Sequence, residues 1–109
     1  MEIREETVGD ATILSPLARV DSSSAKIFEA KVLTVVNSGT PKIVIDFSEL
    51  NYISSAGLRV VLVGAKMMRG GRKFVLCGMT PNIREIFDVS GFTKILSIYP
   101  DRAAALAAA

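Results

Sequence analysis

The stretch Lys42-Ile43-Val44-Ile45-Asp46-Phe47-Ser48-Glu49-Leu50-Asn51-Tyr52-Ile53-Ser54-Ser55-Ala56-Gly57-Leu58-Arg59 decides the fold. Its first six residues are a short β-branched run without alternation, the pattern of a central strand buried on both faces. Beyond Ser54 the period changes. Leu58, Val61, Leu62, Ala65 and Met68 recur at helical spacing, with Arg59, Lys66 and Arg69 on the other side, which predicts an amphipathic helix. Ser48 to Tyr52 reads as the connection between the two. Gly70-Gly71 stops the helix and Lys73–Cys77 supplies another strand, so the centre of the chain is strand, helix, strand.

Upstream, Asp21-Ser22-Ser23-Ser24 precedes a segment with Ile27, Phe28, Ala30 and Val32 to Val35 on one helical side. One of the serines or the Asp21 carboxylate is expected to cap this helix, and Asn37-Ser38-Gly39-Thr40-Pro41 to end it. Ile3–Val8 and Ala11–Leu17 flank the turn Gly9-Asp10 and predict a β-hairpin. Downstream, Thr80-Pro81 starts a helix, because Thr can cap and Pro at the first helical position loses no needed hydrogen bond. Ile83, Ile86, Phe87 and Val89 are expected to face the core, with Gly91 as the stop. A short strand around Lys94–Ile98 and an Ala-rich helix from about Asp101 close the chain. The order β-β-α-β-α-β-α-β-α predicts an α/β fold with a mixed, mainly parallel sheet of four or five strands covered by about four helices.

The sequence has 109 residues, 13 of them Lys or Arg and 11 Asp or Glu, and half are hydrophobic. This length suits one domain over residues 1–109, burying roughly two thirds of the surface that the unfolded chain exposes. The net charge of +2 is spread along the chain without a run of five basic residues, so no nucleic-acid footprint is evident. No apolar stretch approaches the roughly 20 residues of a membrane span, Met1–Glu6 has no signal-peptide character, and a cytoplasmic location is expected. The chain has no histidine and a single cysteine, which removes the commonest general base and the commonest metal ligands. Cys77, in the apolar run Phe74-Val75-Leu76-Cys77, reads as core. Ala103–Ala109 favours helix, although so short a helix is marginal unless it docks.

Chemistry concentrates at Ser54 and Ser55. They lie between a buried strand and a helix start, where free backbone N–H groups and the positive end of the dipole favour an anion such as phosphate. Capping is the commoner use of such a pair, and the roles are compatible: one serine caps while its neighbour presents its hydroxyl outward. Gly57 has its own explanation in close packing of the helix start against the sheet. A nucleophilic Ser55 would need an adjacent base, and the chain has neither histidine nor a Gly-x-Ser-x-Gly elbow. Asp46 and Glu49 have no evident partner and read as solvated or capping. Gly70-Gly71 matches neither a P-loop nor a dinucleotide fingerprint. Arg59, Lys66 and Arg69 read as a solvated helix face, with the rim of a site for an acidic partner as the alternative.

The chain resembles, over nearly its full length, the STAS domain of bacterial anti-sigma-factor antagonists. Four parts carry the resemblance: Asp21-Ser22-Ser23-Ser24-Ala25; Ile43–Phe47 leading through Leu50, Tyr52 and Ile53 into Ser54-Ser55-Ala56-Gly57-Leu58; Gly71 with Phe74–Cys77; and Pro81 with Ile86-Phe87-Asp88-Val89-Ser90-Gly91-Phe92. In that family a serine in an Asp-Ser-[Ser/Thr]-Gly-Leu type motif is phosphorylated by an anti-sigma factor that is itself a kinase. Alignment on Gly57-Leu58 implies Ser55 as that serine, with Ser54 in the Asp position and Ala56 in the Ser/Thr position. Asp21 matches an acidic residue usual near the site, while Ala18-Arg19 stand where many relatives have Gly-Glu. The resemblance therefore implies a non-enzymatic regulatory module switched at Ser55, with Asp21, Ser22, Ser54, Ala56, Gly57, Leu58 and Arg59 around the site. The implied partners are the kinase, which would bring ATP and Mg²⁺, and a serine phosphatase; no cofactor, nucleic acid or membrane insertion is implied for the chain itself. The alternative is a constitutive STAS scaffold subunit, for example of a membrane-associated transport complex, in which the serines only cap.

Overall fold

The β-branched run at the centre of the sequence is a strand, Lys42–Asp46, with every residue buried. The structure is a computed structural model that describes residues 1–108. In chain order the strands are β1 (Ile3–Val8), β2 (Ala11–Pro16), β3 (Ala18–Val20), β4 (Lys42–Asp46), β5 (Leu50–Ile53), β6 (Lys73–Cys77) and β7 (Ser97–Tyr99). The helices are α1 (Ala25–Asn37), α2 (Ser55–Met67), α3 (Pro81–Val89) and α4 (Arg102–Ala107), with a 3-10 turn at Phe92–Lys94.

Five strands form one sheet in the order β1-β2-β4-β6-β7. Only β1 is antiparallel, joined to β2 through a two-residue turn in which Gly9 takes a φ of 59°. Side chains alternate between the faces. Leu14, Ile43, Ile45, Phe74 and Leu76 point into the main core beneath α1, α2 and α3, while Ile13, Val44, Val75 and Cys77 point the other way, toward α4. This two-sided burial is why β4 and β6 lack the polar alternation of a surface strand.

The structure revises several expectations. Ser48–Tyr52 is not wholly a connection, because Leu50–Ile53 pairs in parallel with Ala18–Val20 as a separate two-stranded sheet. The second strand correspondingly ends at Pro16. The last strand covers Ser97–Tyr99 and does not start near Lys94, since Gly91, with φ 77°, leads into a 3-10 turn over Phe92–Lys94. Val89 is 83% exposed, for it lies on the opposite side of α3 from the buried Ile83 and Phe87. In α1 the inward stripe is Ala25, Phe28, Val32, Val35 and Val36, and Ile27 is half exposed.

Asp46 is not solvated, although its Oδ1 does cap the following turn by accepting from the Ser48 N–H at 3.0 Å. Its carboxylate is buried and takes Arg102 of α4 at 3.0–3.1 Å. The same guanidinium donates to Glu6 at 2.7 Å and to Ser15 Oγ at 3.3 Å, while Lys42 Nζ donates to the Leu106 and Ala108 carbonyls at 3.2 and 2.7 Å. These bonds clamp both ends of a six-residue helix that buries only Ala105 fully. Docking supplies what a helix of this length lacks in isolation. Cys77, fully buried beneath it, has its thiol pKa pushed up to about 12, by desolvation and then by the nearby Asp46 charge. The folded state thus holds the thiol proton, a stabilisation present below the ordinary thiol pKa and lost as pH rises toward 12. Arg102→Ala is expected to cost about 1–3 kcal/mol, because it leaves the Asp46 carboxylate short of a partner. It should also speed iodoacetamide labelling of Cys77 at pH 8 under native conditions. Unchanged labelling would show that α4 stays seated without the clamp.

Candidate functional site

β3 and β5 run side by side and in the same direction, in the register Arg19↔Tyr52 and Val20↔Ile53. Val20 and Ile53 point into the core; Arg19 and Tyr52 point outward. A bulge between Ala18 and Arg19 starts β3, and Ala18 takes a φ of 66°, a left-handed conformation that disfavours any side chain. The two strands then release the chain into two helices, Asp21 toward α1 and Ser54 toward α2. The Ser54 N–H donates to the Val20 carbonyl at 2.8 Å, so the two helix starts are held beside one another.

Asp21 organises the entry to α1. Its Oδ1 accepts from the Ser23 and Ser24 backbone N–H groups at 3.0 and 3.1 Å and from their hydroxyls at 2.6 and 3.2 Å. Its Oδ2 takes the Arg19 guanidinium at 3.2 Å, and the Arg19 head lies 5.1 Å from the centroid of the Tyr52 ring, within cation–π range. The Ser23 hydroxyl first, and then the Ser23 and Ser24 backbone N–H groups, outweigh desolvation and hold the Asp21 pKa down to about 2. The structural cap expected from the Asp21 to Ser24 run is therefore made by the carboxylate, while Ser24, adjoining the helix, makes no side-chain cap bond.

The two serines of α2 divide their roles. Ser54 Oγ accepts from the Gly57 N–H at 3.3 Å and is the cap. Ser55 is the first helical residue, exposed, and its hydroxyl makes no hydrogen bond among the described residues. Gly57 lies beneath the first turn: a Cβ there would stand 2.7 Å from Ile53 Cγ1 and 2.8 Å from Val20 Cγ1, both on fully packed side chains. Overpacking of that kind costs about 1–3 kcal/mol.

Of the residues read from the sequence as the site, Asp21, Ser22, Ser54, Ser55, Ala56 and Arg59 gather at this end of the strands. Gly57 and Leu58 are buried and support the site from below without forming its surface. A shallow groove of about 220 Å³ between α1 and α2 is lined by Ser22, Lys26, Glu29, Ala56 and Arg59 among others. Lys26, Glu29 and Tyr52 were missed; the helical spacing of Lys26 and Glu29 after Ser22 was the available signal. A larger hollow of about 460 Å³ sits at the opposite ends of the parallel strands, around Ala11, Lys42 and Lys73, away from these hydroxyls.

The arrangement, an exposed serine at a helix start beside a low-pKa aspartate, at the ends of parallel strands, sits in a chain that matches the model of the STAS domain family over residues 2–105. The chain belongs to the STAS family. A relative, BtrV of Bordetella bronchiseptica, provisionally named an anti-sigma factor antagonist, is 44% identical over 90 residues, covering 82% of this chain and 78% of BtrV. The crystal structure of an anti-sigma factor antagonist from Mycobacterium paratuberculosis shares the STAS fold with a TM-score of 0.92 at 23% identity, over 96% of this chain and 90% of that one. The Bacillus cell fate determinant SpoIIAA in its phosphorylated form aligns with a TM-score of 0.72 at 20% identity, over 94% of this chain and 96% of that one. At these identities the two structures speak to the fold. No helix among the described residues is long and apolar enough to cross a membrane.

The Asp21 pKa gives the site a pH signature. A carboxylate whose folded pKa lies below its unfolded value of about 3.9 stabilises the fold above that value and loses the contribution as pH falls toward 2. The difference in urea midpoint between the native chain and Asp21→Asn is therefore expected to be constant from pH 7 to pH 5 and to narrow below pH 4. A gap that closes between pH 7 and pH 5 would contradict this account of Asp21.

Proposed function

We propose that this STAS domain is an anti-sigma-factor antagonist that binds a kinase-type anti-sigma factor when Ser55 is unmodified and releases it when Ser55 is phosphorylated. The observation that supports the reading most is the free, exposed Ser55 hydroxyl at the first position of α2, next to a neighbour that already does the capping. The identity to BtrV, and the existence of the same fold in a phosphorylated form, make this the reading to test first.

In the proposed step Ser55 Oγ attacks the γ-phosphorus of ATP held with Mg²⁺ by the partner. The Oγ–P bond forms, the bond from the γ-phosphorus to the β–γ bridging oxygen breaks, ADP leaves, and a base of the kinase takes the serine proton. The chain is substrate and ligand, not enzyme, in keeping with a Ser55 that has no base bonded to it. The product carries about −1.5 to −2 charge at a helix start whose dipole tolerates it, so the domain stays folded while a docked partner meets repulsion and a desolvation cost. A serine phosphatase resets the switch, and the setting is the cytoplasm, where release of a sigma factor regulates transcription.

With a purified kinase-type anti-sigma factor and radiolabelled ATP, the native chain and Ser54→Ala are expected to take up label and Ser55→Ala to take up none. Ser55→Asp should bind that partner about tenfold or more weakly. Label persisting in Ser55→Ala would overturn the assignment of the residue. Tight binding without labelling would favour the constitutive scaffold.

A further inference from the structure

Arg59 follows Ser55 by four residues on α2, and both are exposed. The Cα–Cβ bond of a helical residue tilts toward the helix N-terminus, so the side chain at 59 covers the turn that begins at Ser55. Residues four apart are surface neighbours, and an acidic group followed by a basic one is the favourable order. Arg59 also lines the groove between α1 and α2, with Lys26 and Glu29 of α1 in the same lining.

The charges near Ser55 are differently committed. Arg19 is engaged by Asp21 and by the Tyr52 ring, and Asp21 by Ser23, Ser24 and Arg19. Arg59 and Lys26 make no hydrogen bond or ion pair among the described residues, although Glu29 shares their groove. Two cations thus stand uncommitted in the groove beside the first turn of α2, one of them four residues from Ser55 on the same helix.

We propose that a phosphate on Ser55 is gripped by Arg59 of the same helix, with Lys26 across the groove as a second cation. Modification then withdraws a free guanidinium from the docking face as well as adding negative charge. The inference rests on the reading of Ser55 as the phosphorylated residue. Guanidinium suits the role because its planar fork matches two phosphate oxygens at once. Lys66, eleven residues along α2, is roughly 16 Å farther down the helix axis and takes no part.

The test uses the chain with phosphoserine inserted at position 55 during translation, titrated by ³¹P NMR. A bound cation favours the dianion and lowers the second phosphate pKa, which is about 6 without such help. Arg59→Gln is expected to raise that pKa by about 0.3 pH unit, Arg59→Lys to restore most of the difference, and Lys66→Gln to leave it unchanged. Asp21 stays ionised throughout the titration, and Glu29 and Lys26 are common to all variants, so the comparison isolates position 59. Equal pKa values for the native and Arg59→Gln chains, or an equally large shift in Lys66→Gln, would overturn the proposal. Because the phosphoserine is installed without a kinase, that failure is distinct from a failure of the kinase to label Ser55.

Discussion

The site depends on the missing side chain at Gly57. Without a Cβ, the first turn of α2 rests directly on Val20 and Ile53, the last residues of the two short strands, so closely that an added Cβ would push their side chains aside. The Ser54 N–H bond to the Val20 carbonyl fixes the same junction from the backbone side. Together they bring the exits of β3 and β5 into one place, and with them Asp21, Ser54 and Ser55. The five-stranded sheet, buried on both faces, is the rigid base to which this junction is attached through the shared core.

Asp21 is already paired before any modification. Its partner is Arg19, and the hydroxyls and backbone N–H groups of Ser23 and Ser24 are what hold its pKa so low. The α2 cap is a neutral serine, so a dianion on Ser55 would meet no carboxylate at the cap while the Gly57 N–H keeps its acceptor. Arg19 is stacked on Tyr52 and adds a cation to the same face. Both side chains keep the hydrogen bonding and stacking of the junction in place.

The elements legible in the sequence are those whose environment is uniform. β4 and β6, buried on both faces, announce themselves as apolar runs, and α2 shows a period that its packing obeys. β3 and β5 were illegible because three or four residues with alternating exposure carry too little pattern, and their pairing joins positions more than thirty apart. At the site, the split between a capping and an outward serine, and the packing role of Gly57, were both readable from local chemistry. The clamp between Asp46 and Arg102 was not, since nothing near either residue hints at a partner 56 positions away. Arg19 stacking on Tyr52 was hidden for the same reason, as it needs the register of two strands that were not foreseen.

The central claim is that a doubly charged group on one oxygen changes the surface and leaves the fold alone. Amide chemical shifts of the Ser55 and phosphoserine-55 chains test it most directly. The account predicts that large shifts gather at the starts of α1 and α2 and in the groove between them, with β2, β4 and β6 unmoved. Shifts spread through those central strands would mean that phosphorylation rearranges the core, and would contradict it.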